Sequence, residues 1–288
     1  MVKHQEEHAG RRVHPDGVPR RRGGYLLNQI PNSIRLAWRN LKVNMDPASL
    51  VVIIGLPAMY LIFLGSMFVS IVSDFSVNGV TFNYTSYLAP GIVAFQTVMA
   101  GTIGGSMLWL DRKFGMFSQI LSGPFSRSQY LLGIMIATTT ASFVGAAVMI
   151  AISIPLGTHI FFSIEGLGLV LLNLVVGAIF FCSTMLYIAA KVKTNQMYNS
   201  VQIIILFVIN FVSDVFYPIT SATPLPLRIV SYINPLTYVS DGIRAGLGNP
   251  IYFMDTWKPA ETLVLLLETA ALFALAYRTY SRVKISTS

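Results

Sequence analysis

Six long apolar segments dominate the chain, and shorter polar or broken stretches separate them. A helix of about 20 apolar residues crosses the roughly 30 Å hydrocarbon core of a bilayer, and each segment is long enough for that. The pattern therefore predicts an all-α membrane protein whose transmembrane domain covers residues 47–282. The six predicted spans are residues 48–72, 87–110, 130–157, 166–190, 194–213 and 259–280.

The chain before the first span consists of two segments with different patterns. Residues 1–24 are polar and basic, which predicts a disordered cytoplasmic tail. In residues 25–46, apolar side chains recur at helical spacing and basic residues fall between them, with Trp38 among the apolar positions. This pattern predicts an amphipathic helix that lies along the inner membrane surface or packs on soluble parts of a partner. Residues 283–288 are the other predicted cytoplasmic terminus.

The stretch 213–248, between the last two spans, is too apolar for a solvated loop and too broken by proline for one span. It predicts short external re-entrant helices that dip into the bilayer or lie at its surface, shielded by protein. Asn234 is a good N-cap and Pro235 a good first helical residue, so one helix is predicted to begin there. Asp241 and Arg244 are three residues apart on that helix, which predicts an ion pair between them.

Composition supports a membrane protein. Of the 288 residues, 54% are hydrophobic and 11% are charged, whereas soluble domains carry about 25% charged residues. The single cysteine, Cys182, excludes a disulfide within the chain. The sequence contains no phosphate-binding loop and no hydrolase motif, so we expect no enzymatic activity and no cofactor in this chain.

The positions of the basic residues predict the orientation of the chain. If the N-terminus is inside, all but three of the 20 lysines and arginines lie inside, the exceptions being Arg228, Arg244 and Lys258. Cytoplasmic loops carry such an excess of basic residues. The net charge of +8 is therefore a membrane signal rather than a sign of nucleic-acid binding, and both termini are predicted to be cytoplasmic.

The loop after the second span predicts a short helix with an aromatic face. Phe114, Phe117 and Leu121 fall at helical spacing, and Gly123 and Pro124 end the pattern. Such a face on the basic side of the membrane suits a cleft in another protein. A surface helix that rests on lipid is the alternative.

Several polar side chains lie inside the predicted spans, where they are costly and mark functional positions. They either line a substrate path or hydrogen-bond to neighbouring helices. An acidic residue inside a span is itself a functional candidate. The candidates for the pathway are Gln96, Thr97, Asn199, Gln202, Asn210 and Glu268.

The loop after the second span and the stretch 213–248 together resemble those of the permeases of ABC-2 type transporters, which are the membrane subunits of ABC exporters. The resemblance covers roughly residues 26–282. At its C-terminal end it rests on an Asn-Pro-Leu-Thr-Tyr run followed by Asp-x-x-Arg, which would form an external gate. The matching residues are Asn234, Pro235, Leu236, Thr237, Tyr238, Asp241 and Arg244.

In the family that this chain resembles, the loop after the second span carries a coupling helix that docks on the ATPase. The residues at the corresponding places are Arg112, Phe114, Gly115, Phe117, Leu121, Pro124 and Arg127. The resemblance implies a partner of separate ATPase subunits, which bind ATP and Mg, and a homodimer or a heterodimer with a second permease. Spans two and five are the expected seam of that dimer. Gly101 and Gly105 permit close helix contact in span two, and a row of amide side chains follows span five.

The resemblance implies export across the cell membrane. The apolar spans favour a hydrophobic or amphiphilic substrate, such as a drug, an antibiotic or a lipid, as in multidrug efflux. The alternative is a lipid-linked polysaccharide or teichoic acid. An ATP-independent secondary transporter or channel is a rival from a different class, and Glu268 is the residue that it would use.

Overall fold

The computed structural model describes residues 31–44, 50–71, 75–77, 80–161, 163–248 and 258–282. The predicted tail 1–24, the start of the amphipathic segment before residue 31, and the terminus 283–288 lie outside the described residues.

Within that part of the chain there are ten α-helices. They are α1 (Asn32–Asn44), α2 (Leu56–Ile71), α3 (Tyr84–Lys113), α4 (Met116–Ser122), α5 (Arg127–Ser153), α6 (Ile164–Lys191), α7 (Asn195–Val212), α8 (Leu225–Ile233), α9 (Pro235–Leu247) and α10 (Pro259–Ser281). A short 3-10 turn, Ile154–Leu156, follows α5. Two short strands that the pattern did not predict, β1 (Phe75–Val77) and β2 (Val80–Phe82), pair antiparallel between α2 and α3.

Six of these helices are long and apolar enough to cross a membrane: α2 with the turn before it, α3, α5, α6, α7 and α10. Their ends fall within a few residues of the predicted spans, so the six-span prediction is confirmed. Side-chain caps explain several of the helix starts, because they satisfy backbone N–H groups that lack an intrahelical partner. Asn83 caps α3, Ser163 caps α6 and Thr194 caps α7.

The first span begins with an irregular turn. Residues Val51–Gly55 form a π-helical segment that leads directly into α2. Pro57 follows it and has no N–H to donate to the preceding turn, so a regular helix is interrupted here. Single π turns of this kind widen a helix locally and recur at functional sites.

Helix α3 lies at the centre of the molecule and is buried along almost its whole length. Its glycines let α6 approach closely, since a Cβ at Gly101 would lie 2.6 Å from the Cβ of Phe181, and one at Gly105 would lie 2.6 Å from the Cβ of Met185. The expectation that span two forms the seam of a dimer is therefore wrong, because α6 of the same chain already occupies its small-residue face. Span five, α7, is mostly exposed along its length.

Helix α1 packs on α5. Leu36 and Ala37 are buried in this contact, and Gly133 of α5 allows it, because a Cβ there would lie 2.7 Å from the Cβ of Leu36. The other side of α1 exposes Ile34 and Trp38, whose exposed fractions are 48% and 71%. The helix thus has one apolar side on the protein and a second apolar stripe that is largely exposed.

Candidate functional site

Two clusters of polar contacts mark the two ends of the bundle. We call the end that carries α8 and α9 the α9 end, and the end that carries α1 and α4 the α1 end. Helix α3 runs between them.

At the α9 end, the start of α9 is built as the sequence predicted. Asn234 accepts a hydrogen bond from the backbone N–H of Leu236 at 3.0 Å, and Pro235 is the first helical residue. The Asn234 amide also donates to the carbonyl of Ile209 in α7 at 2.7 Å. The cap therefore fixes α9 to the end of the fifth span as well as starting the helix.

Arg244 of α9 holds two carboxylates. Its Nη1 lies 3.0 Å from Asp241, which confirms the predicted pair, and 2.6 Å from Asp214. The guanidinium also lies 4.0 Å from the ring centroid of Tyr87 in α3, and Arg244 is only 4% exposed. We call Arg244, Asp241, Asp214 and Tyr87 the Arg244 cluster.

Burial and nearby charges shift the pKa values of Asp241 and Arg244 in this cluster. Burial, together with the nearby charge of Asp214, raises the pKa of Asp241 well above its ordinary value, although Arg244 acts in the opposite direction. Burial works against the charge of the guanidinium, but Tyr87 and the two carboxylates raise the pKa of Arg244 overall. One cation is thus shared between two carboxylates.

Asp214 is the residue that sequence reasoning missed. Its signal was available, because it is the only acidic residue between Glu165 and Asp241. A lone carboxylate in an apolar stretch needs a buried cation. Arg228 is nearer along the chain than Arg244, so the sequence alone does not show which arginine pairs with Asp214.

The segment after α7, residues 213–217, is held against α3 by the Arg244 cluster and two tyrosines. Tyr87 donates to the carbonyl of Asp214 and Tyr84 to the carbonyl of Phe216, each at 2.8 Å. Gly91 makes this approach possible, since a Cβ there would lie 2.4 Å from the carbonyl oxygen of Val215. We call residues 213–217 the gate segment.

At the α1 end, three helices meet at Asp111 of α3. Arg39 of α1 donates to both of its carboxylate oxygens, at 2.8 and 3.2 Å, and the hydroxyl of Tyr130 in α5 donates at 2.7 Å. The sequence pattern predicted basic residues on α1 but no partner for Asp111. Neither Arg39 nor Tyr130 is close to Asp111 in the chain, so the pattern could not show these contacts.

The structure separates the aromatic residues that were expected to share one face of the coupling helix. Phe117 of α4 is 3% exposed and packs edge-on against Tyr130 and Tyr280. Phe114 precedes Gly115, whose φ of 70° turns the chain into α4, and is 66% exposed. The predicted common face of Phe114, Phe117 and Leu121 is therefore wrong, because Phe117 points into the protein and Leu121 is half-buried.

Three other residues of the predicted coupling set tie the loop to the bundle. Arg112 donates to the carbonyl of Ala189 at 2.5 Å, and Arg127 donates to the carbonyl of Ser281 at 2.7 Å. The carbonyl of Pro124 accepts from the side chain of Asn32 at 3.1 Å. What remains exposed around Gly115 is a different set, which we call the docking surface: Lys113, Phe114, Met116 and Gln119.

The candidate pathway residues do not line one common channel within the chain. Gln96, Thr97 and Asn210 are fully or almost fully buried, whereas Asn199 is exposed. Thr97 donates to the carbonyl of Ala94, and Asn210 donates to that of Leu206, so both bond within their own helix. Gln202 and Glu268 are half-buried on α7 and α10.

Comparison with known proteins agrees with this architecture. The sequence model of the ABC-2 type transporter family matches residues 33–247, which reach from α1 to the end of α9. The chain is 26% identical over 230 residues to a protein of Porphyra purpurea that is named as a ycf38 transport permease, with 78% of this chain and 74% of that protein covered. It is 27% identical over 233 residues to the protein of the same name from Cyanophora paradoxa, with coverage of 77% and 74%.

The family match spans the Arg244 cluster, the gate segment, the docking surface and five of the six spans. The chain belongs to the ABC-2 type transporter family and is a multi-pass membrane protein with the character of a transport permease.

Proposed function

We propose that this chain is the permease subunit of an ATP-driven exporter, and that the ATP-hydrolysing subunits are separate chains. Membership of the ABC-2 type transporter family supports a permease that works with an ATPase. The sequence contains no phosphate-binding loop of its own, so ATP and Mg²⁺ would be bound by the partner. Two permeases, either identical or different, would enclose the substrate path.

The observation that carries this proposal is the position of α3. At the α1 end its Asp111 binds Arg39 and Tyr130, next to the docking surface, and at the α9 end its Tyr84 and Tyr87 hold the gate segment. A helix of 30 residues is about 45 Å long and transmits a displacement as a rigid element. A displacement of α4 would therefore be transmitted to the gate segment through α3 alone.

Charge and exposure support the placement in the membrane. The α1 end carries Arg112, Lys113, Lys191 and Arg282 and would lie inside, following the bias of basic residues towards cytoplasmic loops. The exposed Ile34 and Trp38 of α1 would then rest at the inner membrane surface, where tryptophan is favoured. Both termini would be cytoplasmic, and the gate segment, α8 and α9 would be external.

The proposed cargo is a hydrophobic or amphiphilic compound. Helix α7 exposes Ile204, Phe207 and Phe211, an apolar surface that suits such a compound or a second permease. No Lys or Arg lies in the middle of a described span to compensate a small anion.

Copurification with the partner tests the proposal. A nucleotide-binding subunit should copurify with the tagged chain in mild detergent and be lost from a variant with Phe114→Asp and Met116→Asp. Phe117 is not suitable for this purpose because its substitution would damage the core. The matched control is Phe161→Asp, an exposed phenylalanine whose backbone bonds to Leu247 at the α9 end and which should leave the complex intact.

A specific observation favours one rival. The Oε2 atom of Glu268 is buried without a hydrogen-bond partner among the described residues, which suits a proton-coupled carrier. If the well-folded chain purifies alone and moves solute in liposomes without ATP, this rival replaces the exporter, and Glu268→Gln should then abolish transport.

A further inference from the structure

Glu268 is an acidic side chain in the interior of the last span. It lies nine residues after Pro259 in α10, about 14 Å along the helix axis from that end. Among the spans that the structure describes, it is the only acidic residue more than two turns from a helix end. Charged side chains at such a depth are costly, and they are usually paired or functional.

The charge of Glu268 is not balanced by any cation in the described part of the chain. Its Oε2 atom is buried and accepts no hydrogen bond there, and the ion pairs of the described residues do not include it. The carboxylates nearer the α9 end do have cations, since Asp241 lies 3.0 Å from Arg244 and Glu261 lies 3.4 Å from Lys258. An unbalanced carboxylate in apolar surroundings costs free energy that a bound cation can recover.

A tyrosine of α9 lies near this carboxylate. Burial, together with the negative charges of Glu268 and Glu261, raises the pKa of Tyr238. The hydroxyl of Tyr238 donates to the carbonyl of Tyr232 at 2.5 Å, so the group that remains for a ligand is the ring of this half-buried residue. An aromatic ring attracts an organic cation, and a carboxylate beside it supplies the opposite charge.

Glu268 is accessible from the exposed side of α10. Leu265 and Thr269 lie on one side of it and are buried against the bundle, whereas Val264 and Leu267 lie on the other side and are 39% and 62% exposed. Glu268 itself is half-buried, so it lies at the boundary between the two sides. A molecule dissolved in the bilayer can therefore reach the carboxylate without entering the core of the bundle.

We propose that Glu268 and Tyr238 bind the cationic group of an amphiphilic cargo, and that the exposed apolar side chains of α10 contact its apolar part. The inference rests on the proposed function, because it assigns a positive charge to the hydrophobic or amphiphilic cargo of the exporter. A carboxylate without a cation of its own favours a cation over an anion of equal size. A proton on Glu268, or a basic side chain of a second permease beside it, are the competing occupants.

Binding of two ions of the same shape and opposite charge tests the site. Tetraphenylphosphonium and tetraphenylborate share the same arrangement of phenyl rings, and equilibrium binding of each is measured on the purified full chain in an uncharged detergent. The phosphonium ion should bind saturably, and the borate ion should not compete with it. Glu268→Gln should weaken phosphonium binding about tenfold, because the attraction between two opposite charges is lost.

Further variants complete the test. Glu261→Gln is the matched control, because it removes a carboxylate of the same helix that already has Lys258 as its partner, and it should leave phosphonium binding unchanged. Tyr238→Phe keeps the ring and should retain binding, whereas Tyr238→Leu should weaken it several-fold. If Glu268→Gln does not fold, Glu268→Asp serves the same purpose, because it withdraws the carboxylate from the bound cation.

Equal binding of the two ions, or phosphonium binding that Glu268→Gln leaves unchanged, overturns the proposal. A folded chain that binds no phosphonium ion also overturns it, because a proton or a second permease then occupies Glu268. The test needs neither ATP nor an ATPase, so its failure is separate from failure of the exporter. A chain that binds its ATPase but not the phosphonium ion contradicts only the charge of the cargo, whereas a chain that binds the ion but no ATPase contradicts only the exporter.

Discussion

At the scale of single residues, Arg244 has the largest set of polar contacts at the α9 end. It forms ion pairs with Asp214 and Asp241 and holds the gate segment through the carbonyl of Asp214, at 3.3 Å from Nη2. The contribution of Arg244 to stability depends on the carboxylates, because removing one partner of a buried ion pair leaves the other charge buried without compensation.

Arg244→Met should therefore destabilise the protein strongly. It leaves buried carboxylates without their cation, which costs about 3–5 kcal/mol, and thermal unfolding in detergent measures the loss. Arg228→Met on α8 is the control, since Arg228 is half-buried and no ion pair is recorded for it in the described chain. An equal effect of both variants would contradict the assigned role of Arg244.

Asp241→Asn should change how stability depends on pH. The pKa of Asp241 is raised in the folded protein, so the native state keeps a proton that the unfolded chain has already lost above about pH 4. Its contribution to stability is therefore present at low pH and is lost as the pH rises through the folded pKa. Asp241→Asn should remove this fall, so that the variant gains on the unmodified chain as the pH increases. Parallel stability profiles of the two proteins would show that Asp241 does not titrate in this way.

At the scale of elements, the contact between α3 and α6 depends on missing side chains. Gly105→Ala places a Cβ 2.6 Å from that of Met185, so it should destabilise the protein by about 1–3 kcal/mol. Gly168→Ala on α6 has nothing within 4 Å and should stabilise it by about 0.5–1 kcal/mol through helix propensity. Thermal unfolding of both variants measures these changes in stability. Changes of the same sign in both variants would contradict close packing of α3 on α6.

Phe117 of α4 and Phe114 of the turn before it should differ in their contribution to stability. Phe117→Ala removes a ring packed on Tyr130 and Tyr280 and should cost about 3–5 kcal/mol of stability. Phe114→Ala removes an exposed ring and should stay within about 0.5 kcal/mol of the unmodified chain, while weakening retention of the ATPase. A Phe117→Ala variant that is as stable as the unmodified chain would show that α4 does not rest on the core.

The elements also show which features the sequence alone can predict. Spans follow from apolar length, and the start of α9 from Asn234 and Pro235, because both depend on neighbours in the chain. The pair of Asp241 and Arg244 follows from helical spacing for the same reason.

Contacts between distant segments could not be predicted in this way. The bond of Arg39 to Asp111 and that of Arg244 to Asp214 join residues 72 and 30 positions apart, so spacing carries no signal for them. The direction of Phe117 was wrong because the orientation of a two-turn helix is set by what it packs on. The small-residue pattern of α3 was correct as a packing surface, but its partner proved to be α6 and not a second subunit.

At the scale of the whole molecule, the account depends on one long helix that contacts both ends. Its α1 end is fixed by Asp111 beside the docking surface, and its α9 end holds the gate segment through Tyr84 and Tyr87. If the ATPase moves α4, the gate segment should loosen or shift as a consequence.

Hydrogen exchange in the assembled transporter tests this most directly. The backbone amides of Asp214–Phe216 should exchange faster when the ATPase is trapped with ATP and vanadate than without nucleotide. In a variant with Tyr84→Phe and Tyr87→Phe, which lacks the two hydroxyl contacts, exchange should already be fast and insensitive to nucleotide. An unmodified complex that hydrolyses ATP but leaves the exchange of the gate segment unchanged would contradict the central claim, that α3 transmits the movement of the ATPase to this segment.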